Sequence, residues 1–327
     1  MDPVLILILV LAALAIAGAA VLLLWLVPLR RARPGQLEPT PRGEDDGDHD
    51  DDRDAELGDD DAAEAAELLA PPPETPAGPW LVGLRPDVPM VLVHGLLGFN
   101  HIDLLGRRWM YFRGVVEALR AQGITVYVPR LPPLASVPAR AEVLSRFVES
   151  LPHPRMALVA HSMGGLDARY ALTQHQIAAR VGSLVTVATP HHGTPLADIS
   201  AAAPMRALRG MIGRVGLETE AIDWLTTRRL ERFNRDVPDL PGVLYGSIIG
   251  RSLCRQARAN PMLLSGHMYL SLRNGPNDGM VPADSQRWGE LLDEVDADHW
   301  AQIGWSTYFD AGSMYLRLYE TLKRRGL

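Results

Sequence analysis

A change from strand to helix is clearest in MALVAHSMGGLDARYAL, residues 156–172. The first six residues form an apolar run, which is typical of a strand buried on both faces of a sheet. From Gly164 onward, the apolar residues follow the spacing of a helix. A buried strand that passes directly into a helix is the unit from which alternating α/β domains are built. The stretch therefore predicts a mostly parallel sheet with helices on both faces.

The same alternation continues through residues 79–327, which we predict to form one domain. Further apolar runs predict strands at 90–95, 124–129, 183–189 and 242–250. Segments with helical spacing lie at 108–123, 137–152 and 164–182. Roughly 250 residues in such a pattern routinely form a single domain.

The alternation stops between residues 201 and 238, where the pattern is mainly helical. One interpretation is an ordinary amphipathic helix packed on the core. The segment lies between two strands, however, on the side where such sheets bind ligands. We therefore predict a helical, lid-like insertion at 201–238, with the simple core helix as the alternative.

The chain begins with a long apolar segment, residues 3–29, that holds no charged residue. At about 1.5 Å per residue, it is long enough to cross the hydrocarbon core of about 30 Å. A cleaved signal peptide would need basic residues before the apolar run, where only Met1 and Asp2 stand. We therefore predict a single-pass transmembrane anchor over residues 1–29. The three arginines at positions 30–33 favour a cytoplasmic location for the rest of the chain.

Residues 30–78 are predicted to be a disordered acidic and proline-rich linker. Within them, residues 43–67 hold fourteen acidic residues and one arginine, and such charge density opposes folding. The formal net charge of −7 comes from this linker, because residues 79–327 hold 27 basic and 22 acidic residues. No basic stripe with interleaved aromatic residues points to nucleic acid. The single cysteine, Cys254, excludes an internal disulfide.

Ser162 stands where the predicted strand meets the predicted helix, which is the context of a nucleophile elbow. Small residues at Ala160 and Gly164 fit such a compressed turn. The turn would expose the serine hydroxyl at the carboxyl end of the sheet. The alternative is a serine that only caps the helix. In its sequence context, Ser162 is our candidate nucleophile.

A serine hydroxyl needs a base and an orienting carboxylate, which follow it in the chain order Ser, Asp or Glu, His. His267 and His299 both follow the elbow, but only His299 also follows a suitable acid. That acid is Asp278, in the loop RNGPNDGMVP at 273–282. The two aspartates directly before His299, at positions 296 and 298, are predicted to be solvated loop charges. Asp278 is therefore our candidate acid and His299 our candidate base.

Two backbone amides are candidates for an oxyanion hole. One belongs to Met163 at the start of the helix, and the other to Leu96 in VLVHGLLGF, residues 91–99. His94 in the same loop is predicted to hold the loop by hydrogen bonds. The adjacent histidines of TPHHGTP, residues 189–195, lack a carboxylate at ligand spacing, so we predict loop packing rather than a metal site.

In combination, VLVHGLLGF, AHSMGG, ATPHHGTPLAD, NDGMV and the late DH resemble the bacterial triacylglycerol lipases, particularly those of the Pseudomonas and Burkholderia type. The resemblance covers residues 89–304 and implies the α/β-hydrolase fold. It implies the following roles: Ser162 as nucleophile, Asp278 as acid, His299 as base, and Leu96 with Met163 as oxyanion donors.

The sequence departs from that lipase type in three places. Ala160 replaces the usual glycine, one cysteine forbids the type's disulfide, and Ala301 replaces the aspartate of its calcium site. We therefore predict neither calcium nor another metal or cofactor. The predicted function is a membrane-anchored serine hydrolase of carboxylic esters, lipid-like ones above all. The alternatives are a phospholipase, a deacylase, a thioesterase or a non-catalytic binding module of the same fold. The sequence does not predict an oligomeric state.

Overall fold

The computed structural model describes residues 88–98, 101–104, 107–201, 220–252 and 260–326. The predicted anchor and linker lie outside these residues, as does Cys254. Across the described ranges, no helix is both long and apolar enough to cross a bilayer.

A six-stranded sheet forms the centre of the molecule. Its strands are β1 (Met90–Val93), β4 (Val126–Tyr127), β5 (Met156–His161), β6 (Val181–Val187), β7 (Leu244–Gly250) and β8 (Glu290–Val295). They are hydrogen bonded in the order β4-β1-β5-β6-β7-β8, and every pairing is parallel. The predicted α/β-hydrolase architecture with a mostly parallel sheet is confirmed. A separate antiparallel hairpin consists of β2 (His101–Leu104) and β3 (Arg107–Met110).

Eight α-helices occur among the described residues. They are α1 (Val115–Ala121), α2 (Val137–Ser150), α3 (Gly164–Gln174), α4 (Pro195–Ala201), α5 (Glu220–Asp223), α6 (Thr227–Asp236), α7 (Leu264–Asn274) and α8 (Ala311–Arg324). Short 3₁₀ turns occupy 177–180, 283–286 and 301–303.

Successive strand residues enter two different cores, because side chains alternate across a sheet. On β5, Ala157 and Val159 join a cluster with helices α1 and α8, which we call the α1/α8 face. Leu158 and Ala160 join a second cluster with α2 and α3, the α2/α3 face. Burial on both sides explains why the strand appears in the sequence as a continuous apolar run.

The structure corrects the predicted start of one helix. Residues 108–123 were predicted to be helical throughout, but residues 107–110 form β3 and α1 begins only at Val115. Gly114, with φ of 72°, precedes this helix and has a left-handed backbone that separates the two elements.

The sequence pattern also missed strand β8. Three of its six residues, ELLDEV, are acidic, and the strand lies at the edge of the sheet with its first two residues exposed. An edge strand of this kind lacks the continuous apolar run by which buried parallel strands are recognised.

Part of the predicted insertion at 201–238 is described. Residues 220–238 contain the short helices α5 and α6 rather than one long helix. Leu230 and Phe233 of α6 are buried in a cluster with Met163 and Leu166 at the start of α3. This part of the insertion therefore packs directly beside the elbow. Residues 202–219, the rest of the predicted insertion, lie outside the described residues.

Candidate active site

Ser162 occupies a strained turn between β5 and α3. Its φ is 55°, a left-handed value that L-residues other than glycine, asparagine and aspartate seldom adopt. The Ser162 N–H donates to the carbonyl of Val187 on β6 at 2.9 Å, which holds the turn against the sheet. Such strain costs about 1–3 kcal/mol and clusters at functional sites, so it supports a functional role for Ser162.

Two glycines allow the loop that follows β1, residues 94–98, to approach the turn; we call this segment the β1 loop. A Cβ on Gly164 would lie 2.7 Å from the carbonyl oxygen of His94, closer than real Cβ contacts come. A Cβ on Gly95 would lie 2.7 Å from the Cβ of Ser162. The loop after β1 and the elbow are therefore in direct contact.

Ser162, His299 and Asp278 lie in hydrogen-bond contact although they are far apart in the chain. The Ser162 Oγ lies 3.0 Å from His299 Nε2, and His299 Nδ1 lies 2.8 Å from Asp278 Oδ2. The exposed fractions of these residues are 9 %, 5 % and 0 %, so the imidazole is shielded while the hydroxyl keeps some access. These three predicted residues thus meet at the carboxyl ends of β5 and β8 and the loop between α7 and β8.

The Asp278 carboxylate is fixed by its own loop. Its Oδ1 accepts the N–H groups of Met280 and Val281 at 2.9 and 2.7 Å. Its backbone carbonyl accepts the N–H of His299 at 2.8 Å. One oxygen is therefore committed to the loop, and the other faces the imidazole.

The competing residues lie elsewhere in the hydrogen-bond network. His267 Nε2 donates to the carbonyl of Ser252 at 2.7 Å. Asp296 is exposed, as predicted. The prediction of a solvated Asp298 is wrong, because this residue is 3 % exposed and its Oδ1 accepts two backbone N–H groups of the turn after His299. Asp298 therefore stabilises the turn that follows His299 in the chain.

The two predicted oxyanion amides belong to the residue after Ser162 and to the residue after Gly95, which approaches Ser162 closely. Met163 directly precedes α3, where backbone N–H groups lack partners within the helix. Leu96 follows Gly95, whose carbonyl accepts a hydrogen bond from Arg140 at 3.3 Å. In a trans peptide the N–H points opposite to the C=O, so this bond orients the Leu96 N–H away from Arg140.

A buried ion pair supports the β1 loop. Arg140 and Asp167 are both fully buried, with a 2.8 Å hydrogen bond from Arg140 Nε to Asp167 Oδ2. Arg140 also donates to the carbonyl of His94 at 2.8 Å. Burial raises the pKa of Asp167 to about 6, although the neighbouring guanidinium lowers it. The sequence analysis missed Arg140, although its spacing of three residues after Val137 and four before Leu144 places it on the apolar face of α2, where an arginine needs a buried partner.

His94 holds the β1 loop by hydrogen bonds, as predicted. Its Nε2 accepts the N–H of Leu131 at 3.0 Å, and its Nδ1 lies 3.0 Å from the carbonyl of Gly95. Burial lowers the pKa of His94 to about 3, so the ring is neutral. A neutral ring can donate at Nδ1 and accept at Nε2, which matches both contacts.

The histidines of the 189–195 loop take part in packing contacts. His191 is buried and stacks on Trp288 with ring centroids 5.2 Å apart. The guanidinium of Arg169 lies 3.5 Å from the centroid of the Trp288 ring. Arg169 also donates to Val237 O and to Asn234 Oδ1, at 2.9 and 2.8 Å. This cluster thus fixes the end of the described insertion to the elbow helix.

The fold and the Ser–His–Asp contacts together define the class of protein: an α/β-hydrolase. Residues 90–318 match the family model described as the alpha/beta hydrolase family. Triacylglycerol lipase 2 of Saccharomyces cerevisiae is 31% identical over 252 residues, which are 66% of this chain and 74% of that protein. A triacylglycerol lipase of Pseudomonas fragi is 27% identical over 292 residues, 73% of this chain and 97% of its own.

A solved structure agrees with the fold. The mature lipase BlEst2 of Bacillus licheniformis superposes with a TM-score of 0.59 at 23% identity, covering 73% of this chain and 94% of that one. The chain therefore belongs to the alpha/beta hydrolase family. The predicted resemblance to triacylglycerol lipases and the predicted lipase- or esterase-like class of ester hydrolase are confirmed by these matches.

Proposed function

We propose that this chain hydrolyses carboxylic esters through an acyl-enzyme formed on Ser162. The observation that carries the proposal is the continuous path from the Ser162 hydroxyl through His299 to the buried Asp278, at 3.0 and 2.8 Å. Each atom of this path has a chemical use in acyl transfer, and the strained serine stands at its accessible end.

The contacts of Asp278 select the useful tautomer of His299. Because an ionised carboxylate only accepts hydrogen bonds, the imidazole places its proton on Nδ1. The lone pair of Nε2 then faces the Ser162 hydroxyl at 3.0 Å and can take its proton. When the imidazolium forms, the carboxylate stabilises the added charge.

In the proposed reaction, Ser162 Oγ attacks the acyl carbonyl while its proton passes to His299 Nε2. The carbonyl oxygen becomes an oxyanion, which the N–H groups of Leu96 and Met163 bind. The tetrahedral adduct then releases the alcohol, which takes the proton from His299. Water, deprotonated by the same imidazole, attacks the acyl-enzyme and releases the carboxylic acid and the free serine.

We propose lipid-like esters as substrates. The similarity to the triacylglycerol lipases of yeast and Pseudomonas fragi supports this class. The described part of the insertion adds apolar residues beside the elbow, because Leu230 and Phe233 pack with Met163. A membrane anchor at residues 1–29 would hold the catalytic domain, residues 79–327, next to such substrates, and the linker at 30–78 would give it reach.

The experiment compares the full chain with its Ser162→Ala variant in detergent or liposomes. Substrates are p-nitrophenyl esters of increasing acyl length, tributyrin, phospholipids and an acyl thioester. We expect hydrolysis that the variant reduces by about 10⁴-fold or more. Absence of hydrolysis by the parent on every ester would refute the enzyme and favour the binding module. Preference for phospholipids or thioesters would select the corresponding alternative.

We also propose that residues 79–327 face the cytoplasm, and this orientation has a separate test. The chain is expressed in a bacterial host, and protease is added to intact spheroplasts. A cytoplasmic domain stays intact until the membrane is lysed, whereas digestion before lysis contradicts the proposed orientation. Recovery of the full chain in the soluble fraction would contradict the anchor itself.

A further inference from the structure

His161 is a buried polar residue that the proposed reaction does not use. It directly precedes Ser162 and is the last residue of β5. Its side chain is fully buried and has a hydrogen-bond partner at each nitrogen. Nδ1 lies 2.8 Å from the Tyr111 hydroxyl, and Nε2 lies 3.0 Å from the backbone carbonyl of His299.

The direction of these hydrogen bonds follows from the atoms involved. A carbonyl oxygen can only accept, so His161 Nε2 carries a proton and donates it to the His299 carbonyl. Burial lowers the pKa of His161 well below its usual value, so the ring is neutral and its Nδ1 is an acceptor. The Tyr111 hydroxyl therefore donates to Nδ1. The same tyrosine oxygen accepts the N–H of Gly95 at 3.1 Å.

The result is one chain of hydrogen bonds across the site. It runs from the N–H of Gly95, next to the candidate oxyanion amide of Leu96, through Tyr111 and His161 to the backbone of His299. The His161 and His299 rings are also in contact, with centroids 4.5 Å apart. The His299 backbone is thus held twice: its N–H by the Asp278 carbonyl, and its own carbonyl by His161.

We propose that His161 is a positioning residue that, together with Tyr111, fixes the His299 loop and the β1 loop relative to Ser162. This inference rests on the proposed function, because it assigns His161 a role in the same acyl transfer. If His161 acts by positioning, its substitution should lower kcat and leave KM nearly unchanged. The reason is that proton transfer and oxyanion binding depend on the geometry in the transition state, whereas ground-state binding of the ester does not.

The chemistry explains why a histidine suits this place. An apolar side chain of similar size would fill the space but leave the His299 carbonyl and the Tyr111 hydroxyl without these contacts. A lysine or arginine would put a permanent cation beside the imidazolium that forms on His299. A neutral histidine donates in one direction and accepts in the other without adding charge.

The test uses three substitutions in the full chain. His161→Gln keeps an amide N–H near the position of Nε2, so it can still reach the His299 carbonyl. His161→Leu removes both contacts, and Tyr111→Phe removes one oxygen from the middle of the chain. The matched control is a second tyrosine–histidine pair, Tyr127 Oη and His153 Nε2 at 2.8 Å, which lies near the opposite end of β5. The corresponding control variants are His153→Leu and Tyr127→Phe.

The measurements are kcat and KM on a p-nitrophenyl ester, the melting temperature, and the rate of labelling of Ser162 by a fluorophosphonate. We expect His161→Leu to lower kcat and the labelling rate by about 10- to 100-fold with KM within about twofold. We expect His161→Gln to recover most of that loss and Tyr111→Phe to fall between the two. The control variants should lower the melting temperature without lowering kcat by more than about twofold.

The outcomes separate the inference from the proposed function. A parent without esterase activity refutes the proposed function. An active parent with kcat unchanged in His161→Leu refutes the positioning role, as does a loss that appears in KM alone. Should His161→Leu fail to fold, Tyr111→Phe and His161→Gln decide: full kcat in Tyr111→Phe, or an inactive but folded His161→Gln, contradicts the inference.

Discussion

Replacement of Asp278 by asparagine is the sharpest perturbation of the proposed catalytic residues, because the surrounding loop dictates how the amide must sit. The Asp278 Oδ1 accepts the N–H groups of Met280 and Val281. In Asp278→Asn, the amide oxygen must remain there, since the NH₂ group cannot accept these two bonds. The NH₂ group is then forced into the position of Oδ2, which lies 2.8 Å from His299 Nδ1.

The forced NH₂ group reverses the tautomer of His299. Because two donors cannot share a hydrogen bond, Nδ1 becomes the acceptor and the ring proton moves to Nε2. The protonated Nε2 then faces the Ser162 hydroxyl and cannot take its proton. The opposite amide orientation would restore the tautomer but leave two buried N–H groups without partners, at about 1–3 kcal/mol each. The wrong tautomer costs about 10⁴-fold in kcat in triads of this kind, equivalent to about 5 kcal/mol.

The assay compares steady-state kcat on a p-nitrophenyl ester for the parent, Asp278→Asn and Asp298→Asn. Asp298 is a suitable control because it is a buried aspartate next to His299 whose Oδ1 also accepts two backbone N–H groups. Its Oδ2 accepts the Tyr308 hydroxyl at 2.9 Å, whereas the ring nitrogens of His299 are paired with Asp278 and Ser162. We expect a loss below about tenfold for Asp298→Asn.

Two results would refute this reasoning. An Asp278→Asn protein with kcat within about tenfold of the parent would show that the carboxylate does not set the tautomer. Equal losses in Asp278→Asn and Asp298→Asn would show that disruption of the His299 loop, rather than the tautomer, is responsible. Circular dichroism and melting temperature establish that the variants compared are folded.

Three further predictions concern packing and pH. Gly95→Ala places a Cβ 2.7 Å from the Cβ of Ser162, so we expect kcat/KM and fluorophosphonate labelling to fall about 100-fold, whereas labelling at the parent rate would contradict this contact. Acid should destabilise the fold below pH 6.5, because three buried histidines have lowered pKa values and take up protons mainly when unfolded: His94, His161 and His191. Asp167 acts in the opposite direction, because its raised pKa of about 6 lets it bind a proton in the folded protein, which offsets about one of the three protons. The free energy of unfolding, measured with urea, should therefore fall by about 2.7 kcal/mol for each pH unit near pH 5. His191→Gln should reduce that slope by about half, and an unchanged slope would exclude a neutral buried His191. Arg169→Met removes the cation 3.5 Å from the Trp288 ring and should lower the free energy of unfolding by about 2–4 kcal/mol with kcat within about threefold.

The sequence was sufficient to predict the elbow, the acid and the base because their signals are local. A buried strand, a serine and a helix follow one another within residues 156–172, and chain order then restricts the acid and the base. Asp278 stands in a loop rich in glycine, proline and asparagine, where a side chain can turn toward the sheet edge. Each of these inferences needed only a short stretch of sequence and the known chain order of nucleophile, acid and base.

The structural elements that the sequence missed depend on contacts between distant segments. Arg140 lies on the buried face of α2, three residues after Val137 and four before Leu144, but the helix pattern does not reveal its partner Asp167, 27 positions later. Half of the residues of β8 are acidic, which an edge strand tolerates, but no local pattern shows which strand will lie at an edge. The position of Asp298 was missed for the same reason, since its burial depends on the turn after His299 and on Tyr308.

His161 could have been recognised from the alternation of β5 alone. Ala157 and Val159 point to the α1/α8 face, and alternate residues of a strand share a face, so His161 continues that row. A polar side chain at the end of an apolar row, directly before the candidate nucleophile, needs a partner on the same face. That face holds Tyr111 and also Ala297 and Ala301, which flank His299 in the chain. Because side chains alternate along β5, the residue before Ser162 lies on the face that contacts the loop carrying His299. In other hydrolases with a histidine directly before the serine, we expect this histidine to contact the loop of the catalytic base in the same way.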